Sequence, residues 1–259
     1  MKITDFSIPD GSKVDIVVRA KNGHEMTAQC VESIVRNTPR ELYRLILVDD
    51  GSDPALDETP DVLVRVEESQ GDGSASNLGI ALAQTRKGSQ YILLLDAGTK
   101  IPLGDSTWLQ RMIAELEEGG EDCAAVGALT HLGIPPQHIL SARVTYEEEW
   151  EGGSSENLDV PWLRLSPVLF RKEALEECGP LDAQYEVKSY AGFDISVQLR
   201  DAGWQLRTAR SVFVFLAAEL GLEQRSAADQ QSFYMKWGMG KLFDMGFIAA
   251  QDLRRVLPS

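Results

Sequence analysis

Apolar residues recur along this chain in short unbroken runs that end abruptly on polar positions, and the intervals between the runs carry helical spacing. Val14-Asp15-Ile16-Val17-Val18, rich in β-branched residues, predicts a first strand. Met26, Cys30, Val31, Ile34 and Val35 then repeat at helical period until Thr38-Pro39 stops them, which predicts a helix over 26–37. Leu45-Ile46-Leu47-Val48 is apolar at every position, the pattern of a parallel-sheet strand buried on both faces. Val62–Val66 predicts a third strand, and a glycine-rich stretch from Gly71 leads into a helix through Ala81, Leu82 and Ala83. Tyr91–Leu95 repeats the fully apolar run, Trp108–Glu118 predicts an amphipathic helix closed by Gly119-Gly120, and Cys123–Leu129 another strand.

From His131 to Asp159 the periodicity dissolves into Gly, Pro, Ser and the acidic run Glu147-Glu148-Glu149-Trp150-Glu151, which reads as a solvated surface on a long functional or disordered loop. Strand character returns over Val160–Arg171, and a short helix ends at Cys178-Gly179. Gly192-Phe193-Asp194 opens a helix that stops at Gly203, Trp204–Leu216 is strand, and the chain reads as helical from Glu223 to near its end. Strands alternating with helices predict an α/β fold built on a mostly parallel, Rossmann-like central sheet flanked by helices. At 259 residues, with no internal repeat and no linker, the chain reads as one domain over 1–259.

Composition narrows the class. No apolar run approaches the ~18 residues that a membrane span needs, and Met1–Phe6 lacks the apolar core of a secretory signal. Cys30, Cys123 and Cys178 lie far apart in apolar surroundings and read as reduced core thiols, so a cytoplasmic setting is expected. The net charge of −15 argues against general nucleic-acid binding and against an anionic membrane surface. It leaves a local cationic pocket for a nucleotide open.

Chemistry gathers at the strand ends. One buried run stops on Asp49-Asp50-Gly51-Ser52, another on Asp96, and the first strand on Arg19-Ala20-Lys21-Asn22-Gly23. Ligands of open α/β sheets bind in the crevice beyond the carboxyl ends of the strands. Acids there accept hydrogen bonds from ribose hydroxyls or a base N–H, or hold a metal; the bland alternative is an Asp-Gly turn. Gly71 and Gly73 begin a GxG, but Ser76 stands where a dinucleotide fingerprint needs its third glycine, and the segment follows the third strand where that motif follows the first. A phosphoacceptor receiver domain needs its acid pair at the first strand, where this chain has Arg19.

Taken in order, these pieces resemble the family 2 glycosyltransferases, which have the GT-A fold. Val14–Asn22 resembles that family's opening strand and turn, and Leu47-Val48-Asp49-Asp50-Gly51-Ser52-Asp53 its Val-Asp-Asp-Gly-Ser signature. Gly73–Gly79 is similar to its Gly-x-x-x-x-Asn-x-Gly helix start, and Leu94-Leu95-Asp96-Ala97-Gly98 lies where its Asp-x-Asp metal motif belongs. Phe170-Arg171 through Gly179-Pro180-Leu181-Asp182 resembles the acceptor-side segment ending in Gly-x-Phe-Asp, Phe193-Asp194 its later acid pair, and Lys236-Trp237-Gly238 a C-terminal signature of some members. The resemblance spans about 14–238 and implies a nucleotide-binding half over about 14–130 and an acceptor-side half over about 131–259.

The implied activity is transfer of a sugar from a nucleotide-sugar co-substrate to an acceptor hydroxyl, with inversion. An inverting transferase needs a base for the attacking hydroxyl. Asp194 is the candidate by resemblance; as a helix N-cap it would have a purely structural role. The donor would be held by Arg19, Ala20, Lys21, Asn22, Asp49, Asp50, Gly51, Asn77, Asp96, Ala97 and Lys100, with Asn77 alternatively satisfying backbone groups only. A divalent cation, Mn or Mg, would sit on Asp96 and bridge the diphosphate. The Asp-rich site suggests a uridine donor, with thymidine and guanosine donors as alternatives, and the expected acceptor is a glycan, a protein or a small molecule. It would meet 131–190, where Trp150, Trp162 and Tyr190 either stack on a sugar or belong to the core.

Three departures stand against the family pattern. Gly98 replaces the second acid of Asp-x-Asp, and Phe193 replaces an acid beside Asp194. Phe213-Val214-Phe215-Leu216 carries no histidine; His24, His131 and His138 are remote from it in sequence and read as surface or packing residues. Three readings follow. The first is an enzyme with a weak metal site on Asp96, and the second a metal-independent transferase in which Lys21 and Lys100 supply the positive charge. The third is a degenerate module that binds a nucleotide sugar, glycan or protein partner without turnover.

Overall fold

The computed structural model describes residues 1–6, 11–131, 137, 158–186, 188–217 and 226–247. The fully apolar runs form the centre of one sheet. β2 (Val14–Ala20) pairs in parallel with β3 (Tyr43–Asp50) on one side and β5 (Tyr91–Asp96) on the other, and β3 pairs in parallel with β4 (Val62–Val66). The edge beyond β4 is covered by antiparallel β1 (Lys2–Asp5). Beyond β5 the sheet turns mixed: β9 (Val168–Arg171) runs antiparallel between β5 and β7 (Cys123–Thr130), and β7 pairs in parallel with β10 (Gln205–Leu216). Two short strands, β6 (Thr99–Lys100) and β8 (Leu158–Asp159), pair antiparallel with β10.

Every residue of β3 and of β5 is buried because both faces of the sheet are covered. On one face Ile16, Val18, Leu47 and Leu93 pack against Cys30 and Ile34 of α1 (His24–Asn37) and Trp108, Leu109 and Met112 of α3 (Trp108–Glu118). On the other, Val17, Ile46, Val48 and Leu94 share a core with Ala75, Ile80 and Ala83 of α2 (Asp72–Thr85). That core continues through Leu175 of α4 (Lys172–Cys178) and Ile195 and Leu199 of α5 (Lys188–Asp201). Burying each such aliphatic side chain is worth roughly 1.5–3 kcal/mol, so alternate residues of one strand stabilise two layers at once. Gly79 sets the height of α2 above the sheet. A Cβ there would lie 2.2 Å from Val17 Cγ1, so only glycine allows this approach.

The chain order fixes the position of the crevice. From β2 it winds outward to β3 and β4, then returns through α2 to β5 on the opposite side of β2. The sheet's switch point therefore falls between β2 and β5, where ligands of open α/β sheets bind.

Several expectations change in detail. The strand expected over 160–171 is confined to Val168–Arg171, and β1, β6 and β8 were not anticipated, being too short or too polar to show a period. α5 begins at Lys188, so Asp194 lies well inside a helix and the N-cap alternative for it fails. The C-terminal helical region is α6 (Ala227–Trp237), whose N–H at Asp229 donates to the Ser226 hydroxyl at 3.1 Å, and α7 (Met239–Asp244), separated by Gly238 at φ 76°. Most of the aperiodic stretch, including the acidic run, Trp150 and His138, lies outside the described residues. No helix among the described residues is long and apolar enough to cross a membrane.

Candidate active site

The carboxyl ends of β2, β3 and β5 bring Arg19, Ala20, Asp49, Asp50 and Asp96 to one edge, in parallel register: Ala20 lies opposite Asp49, and Arg19 opposite Asp96. The two adjacent aspartates do different work there. Asp49 is fully buried and accepts hydrogen bonds from the N–H groups of Ser52 (2.9 Å) and Leu56 (3.3 Å), and from the Arg65 guanidinium. It shapes the loop that leaves β3. Asp50 is equally buried, at 1% exposure, and accepts from the Ser69 hydroxyl at 2.7 Å and the Gln70 N–H at 2.6 Å, both on exposed residues. Gly51 between this pair and Ser52 has φ 74°, and a Cβ on it would stand 2.7 Å from the Ser69 nitrogen, so the turn admits no side chain.

Asn22, at φ 53°, clasps the same loop: its N–H donates to Ser52 Oγ at 2.8 Å and its Oδ1 accepts from the Asp53 N–H at 3.1 Å. His24 Nε2 lies 3.0 Å from the Pro54 carbonyl on this loop's outer side. Asn77 is likewise committed to backbone, since its amide donates to the Leu181 carbonyl at 2.8 Å and accepts from the Leu181 N–H at 2.9 Å. This geometry matches the backbone-satisfying alternative and leaves Asn77 one step back from a donor. It fastens α2 to the 181–183 loop, whose Ala183 Cα would be 3.2 Å from a Cβ on Gly73.

At the switch point lies a guanidinium. Arg19 Nη1 stands 2.7 Å from Asp72 Oδ1 and Nη2 3.1 Å from Asp96 Oδ1, with the Arg19 side chain 13% exposed. Burial by itself would lower the Arg19 pKa, but Asp96, Asp72 and Asp50 outweigh it and hold the group above its ordinary value. The Asp96 N–H donates to Ser166 Oγ at 2.8 Å, and the Ala97 N–H donates to the Arg19 carbonyl at 3.1 Å, so both strand ends are fixed. Arg19, Asp72, Ser76, Asp96 and Ser166 line a small cleft of about 10 Å³, the room of about one water.

These residues fit a divalent cation poorly. Mg2+ and similar ions take six oxygen ligands, of which a protein supplies one or two carboxylates and water and substrate phosphates the rest. Here Asp96 is paired with Arg19, Gly98 brings no side chain, and among the described residues no three His, Cys, Asp or Glu side chains gather in a way that holds a metal. Lys21 is exposed on the turn after β2, and Lys100 sits in β6 opposite Phe215.

Asp194 and Asp182 form a clamp with Lys236. Asp194 of α5 is fully buried; its carboxylate accepts from the Trp237 indole N–H (2.7 Å), the Tyr185 hydroxyl (3.2 Å), the Gln198 amide and the Lys236 ammonium (2.9 Å). Lys236 also reaches Asp182 at 2.7 Å. Burial would raise the Asp182 pKa, yet Lys236 and Gln184 hold it below the ordinary carboxylate value. Burial and Asp194 push the Tyr185 hydroxyl far up, so it remains a donor. Phe193, which replaces an acid, packs edge-on against Trp162 (ring centroids 4.8 Å) and Tyr190 (5.7 Å), and both rings belong to an aromatic cluster with Phe233.

Lys236 gives this clamp a pH signature. Burial alone would lower its pKa, but Asp182 and Asp194 prevail and raise it above 10.5. A cation stabilised in the folded state contributes fully below its unfolded pKa and loses that contribution as pH rises through the folded value. Melting temperatures taken from about pH 9 to 12 should therefore fall more steeply for the wild type than for Lys236→Met. Parallel curves would show that Lys236 is not coupled to the two acids in solution.

Sequence reasoning missed Asp72, Tyr185 and Gln198 altogether, and quoted Asp182 and Lys236-Trp237 as motif without a role. The signal was present in the last case, because a lysine and an indole adjacent in one signature are both donors seeking an acid. His131 follows the packing reading. His131 follows β7, the neighbour of β10, and its ring lies 5.5 Å from that of Phe215 and 6.2 Å from Phe213. Remote in sequence, it packs against the late strand in space. The thiols behave as core groups: burial pushes Cys30 up to about 12 and Cys123 to about 11, and all three cysteines are free.

The profile of Glycosyl transferase family 2 matches residues 15–165, more than half of the chain. Poly(ribitol-phosphate) beta-glucosyltransferase of Bacillus spizizenii (strain ATCC 23059 / NRRL B-14472 / W23) is 33% identical over 96 residues, covering 33% of this chain and 14% of that protein. Among solved structures, GalNAc-T7, crystallised with UDP, GalNAc and Mn2+, superposes with a TM-score of 0.66 at 18% identity, over 96% of this chain and 52% of that one. This shows that the mixed α/β sheet has the GT-A arrangement. The chain spans about half the length of that structure and a small fraction of the curated relative.

Proposed function

The chain belongs to glycosyl transferase family 2, and from that premise we propose that it moves a sugar from a nucleotide-sugar donor to an acceptor hydroxyl with inversion. The observation that supports this reading most is the convergence at one sheet edge. Asp50 and Arg19–Asp96 stand at the strand ends, while Asn77 and Gly73 hold the Asp182 loop against the start of α2.

In this reading the turn 19–22 with Asp50 and Gly51 receives base and ribose, Ala20 and Ala97 form the floor, and Asp96 lies beneath the diphosphate. The acceptor hydroxyl attacks the anomeric carbon opposite the leaving nucleotide and gives up its proton to Asp194. Because four donors saturate Asp194, the acceptor has to displace one of them, and Lys236, at 33% side-chain exposure, is the most accessible. Residues 1–259 act as one unit with donor and acceptor halves. The free thiols are consistent with a reducing, cytoplasmic setting.

The saturation of Asp194 also favours a second reading, a module that binds a nucleotide sugar, glycan or protein without turnover. One experiment separates the two: UDP-, dTDP- and GDP-sugars are incubated with the protein and a set of glycan acceptors, in manganese, magnesium or chelator. Consumption of one donor supports the transferase. Thermal stabilisation by a nucleotide with no donor consumed supports the binding module. No shift with any nucleotide rejects the transferase and the nucleotide-binding form of the module.

A further inference from the structure

Where the family pattern expects a metal at the end of β5, this chain presents a guanidinium. The geometry points to Arg19 as the cation that faces the donor's diphosphate, so that nucleotide binding by this chain does not depend on a divalent ion. The inference rests on the nucleotide-sugar reading above. Its grounds are three.

First, Arg19 is built in. It arises from β2, directly opposite Asp96 in the parallel register, and each terminal nitrogen is held by a carboxylate from a different element, β5 and α2. A guanidinium carries five N–H donors in a rigid fork and keeps its charge at every working pH. Two of those donors go to Asp96 and Asp72. Second, the location is right: the pair spans β2 and β5 at the switch point, beside the first turn of a 14-residue helix whose N–H groups add positive potential. Third, Arg19 offsets part of the charge of Asp96 and Asp72 at the place where Gly98 withholds the second metal-binding acid.

The same geometry gives the inference a reciprocal consequence. Asp72 and Asp96 both point at one guanidinium, so its removal leaves two carboxylates facing a common gap. Arg19→Ala should therefore lose affinity for a nucleoside diphosphate in chelator and acquire affinity for Mn2+.

The test is calorimetric titration of the full chain with UDP, GDP and dTDP in EDTA and in Mn2+, alongside the free-Mn2+ EPR signal without nucleotide. Wild type should bind one nucleotide equally in both media and leave the Mn2+ signal unchanged. Arg19→Ala should bind that nucleotide on the order of tenfold or more weakly in EDTA and reduce the free-Mn2+ signal. Arg19→Lys, which keeps the charge without the fork, should fall between the two. Wild-type binding that appears only with Mn2+ overturns the inference and leaves the glycosyltransferase reading standing. No binding of any nucleotide, with metal or chelator, overturns both. If Arg19→Ala does not fold, the wild-type comparison and Arg19→Lys still decide.

Discussion

Asp194→Ala should lower the folding stability by about 3–5 kcal/mol, since removing one partner of a buried ion pair strands the other. The count of stranded groups supports the upper part of that range. Trp237 Nε1, Tyr185 Oη and the Gln198 amide would each lose their acceptor, and Lys236 would retain only Asp182. Asp194→Asn keeps the shape and one acceptor oxygen, so it should cost roughly half as much while removing the negative charge a base needs. Urea unfolding and donor turnover, measured on both variants, separate structure from chemistry. If Asp194 is the base, the asparagine variant folds and binds nucleotide but transfers no sugar. Undiminished turnover by Asp194→Asn removes it from the mechanism, and wild-type stability in Asp194→Ala would mean the clamp does not exist in solution.

The adjacent acids of β3 should respond to mutation in opposite ways. Asp49→Ala leaves Arg65 and the N–H groups of Ser52 and Leu56 without their acceptor inside the loop, a loss of about 3 kcal/mol or more. Asp50→Ala frees only Ser69 and Gln70, both exposed, where water replaces the lost acceptor, for about 1 kcal/mol. Its effect should appear in nucleotide affinity instead, as a loss of on the order of tenfold or more. Thermal melts with and without nucleotide read both quantities from the same samples. The reverse pattern, with Asp50 carrying stability and Asp49 affinity, would show that the two roles have been exchanged.

The donor edge was legible because its signal is local. Leu45–Val48 and Tyr91–Leu95 are apolar at every position, and the first polar residue after each run marks where the sheet ends and the crevice begins. The partners of those acids were not legible. Arg65, Asp72 and Ser69 reach them from later elements, and the choice of Asp49 rather than Asp50 as the loop anchor depends on alternate residues of a strand pointing to opposite faces. Asp194 is a stronger case. Its four donors come from positions 185, 198, 236 and 237, on a loop and two helices, so its sealing is a tertiary fact with no period to announce it. The missing second acid of Asp-x-Asp was plain in the sequence. That Arg19 stands opposite Asp96 at that point follows only from strand register.

The antiparallel strand β9 bears on how the chain is made. Residues up to Thr130 contain the strand ends that carry Arg19, Asp49, Asp50 and Asp96, yet they cannot complete their sheet, because β5 and β7 stand one strand apart until Val168–Arg171 is laid between them. A chain emerging from the ribosome N-terminus first would hold two apolar strand edges open while some forty further residues were synthesised, at about 5–20 residues per second. Those seconds are a window in which exposed edges invite pairing with other nascent chains. Completion of the sheet around those strand ends is thus timed by a strand that carries none of the four residues.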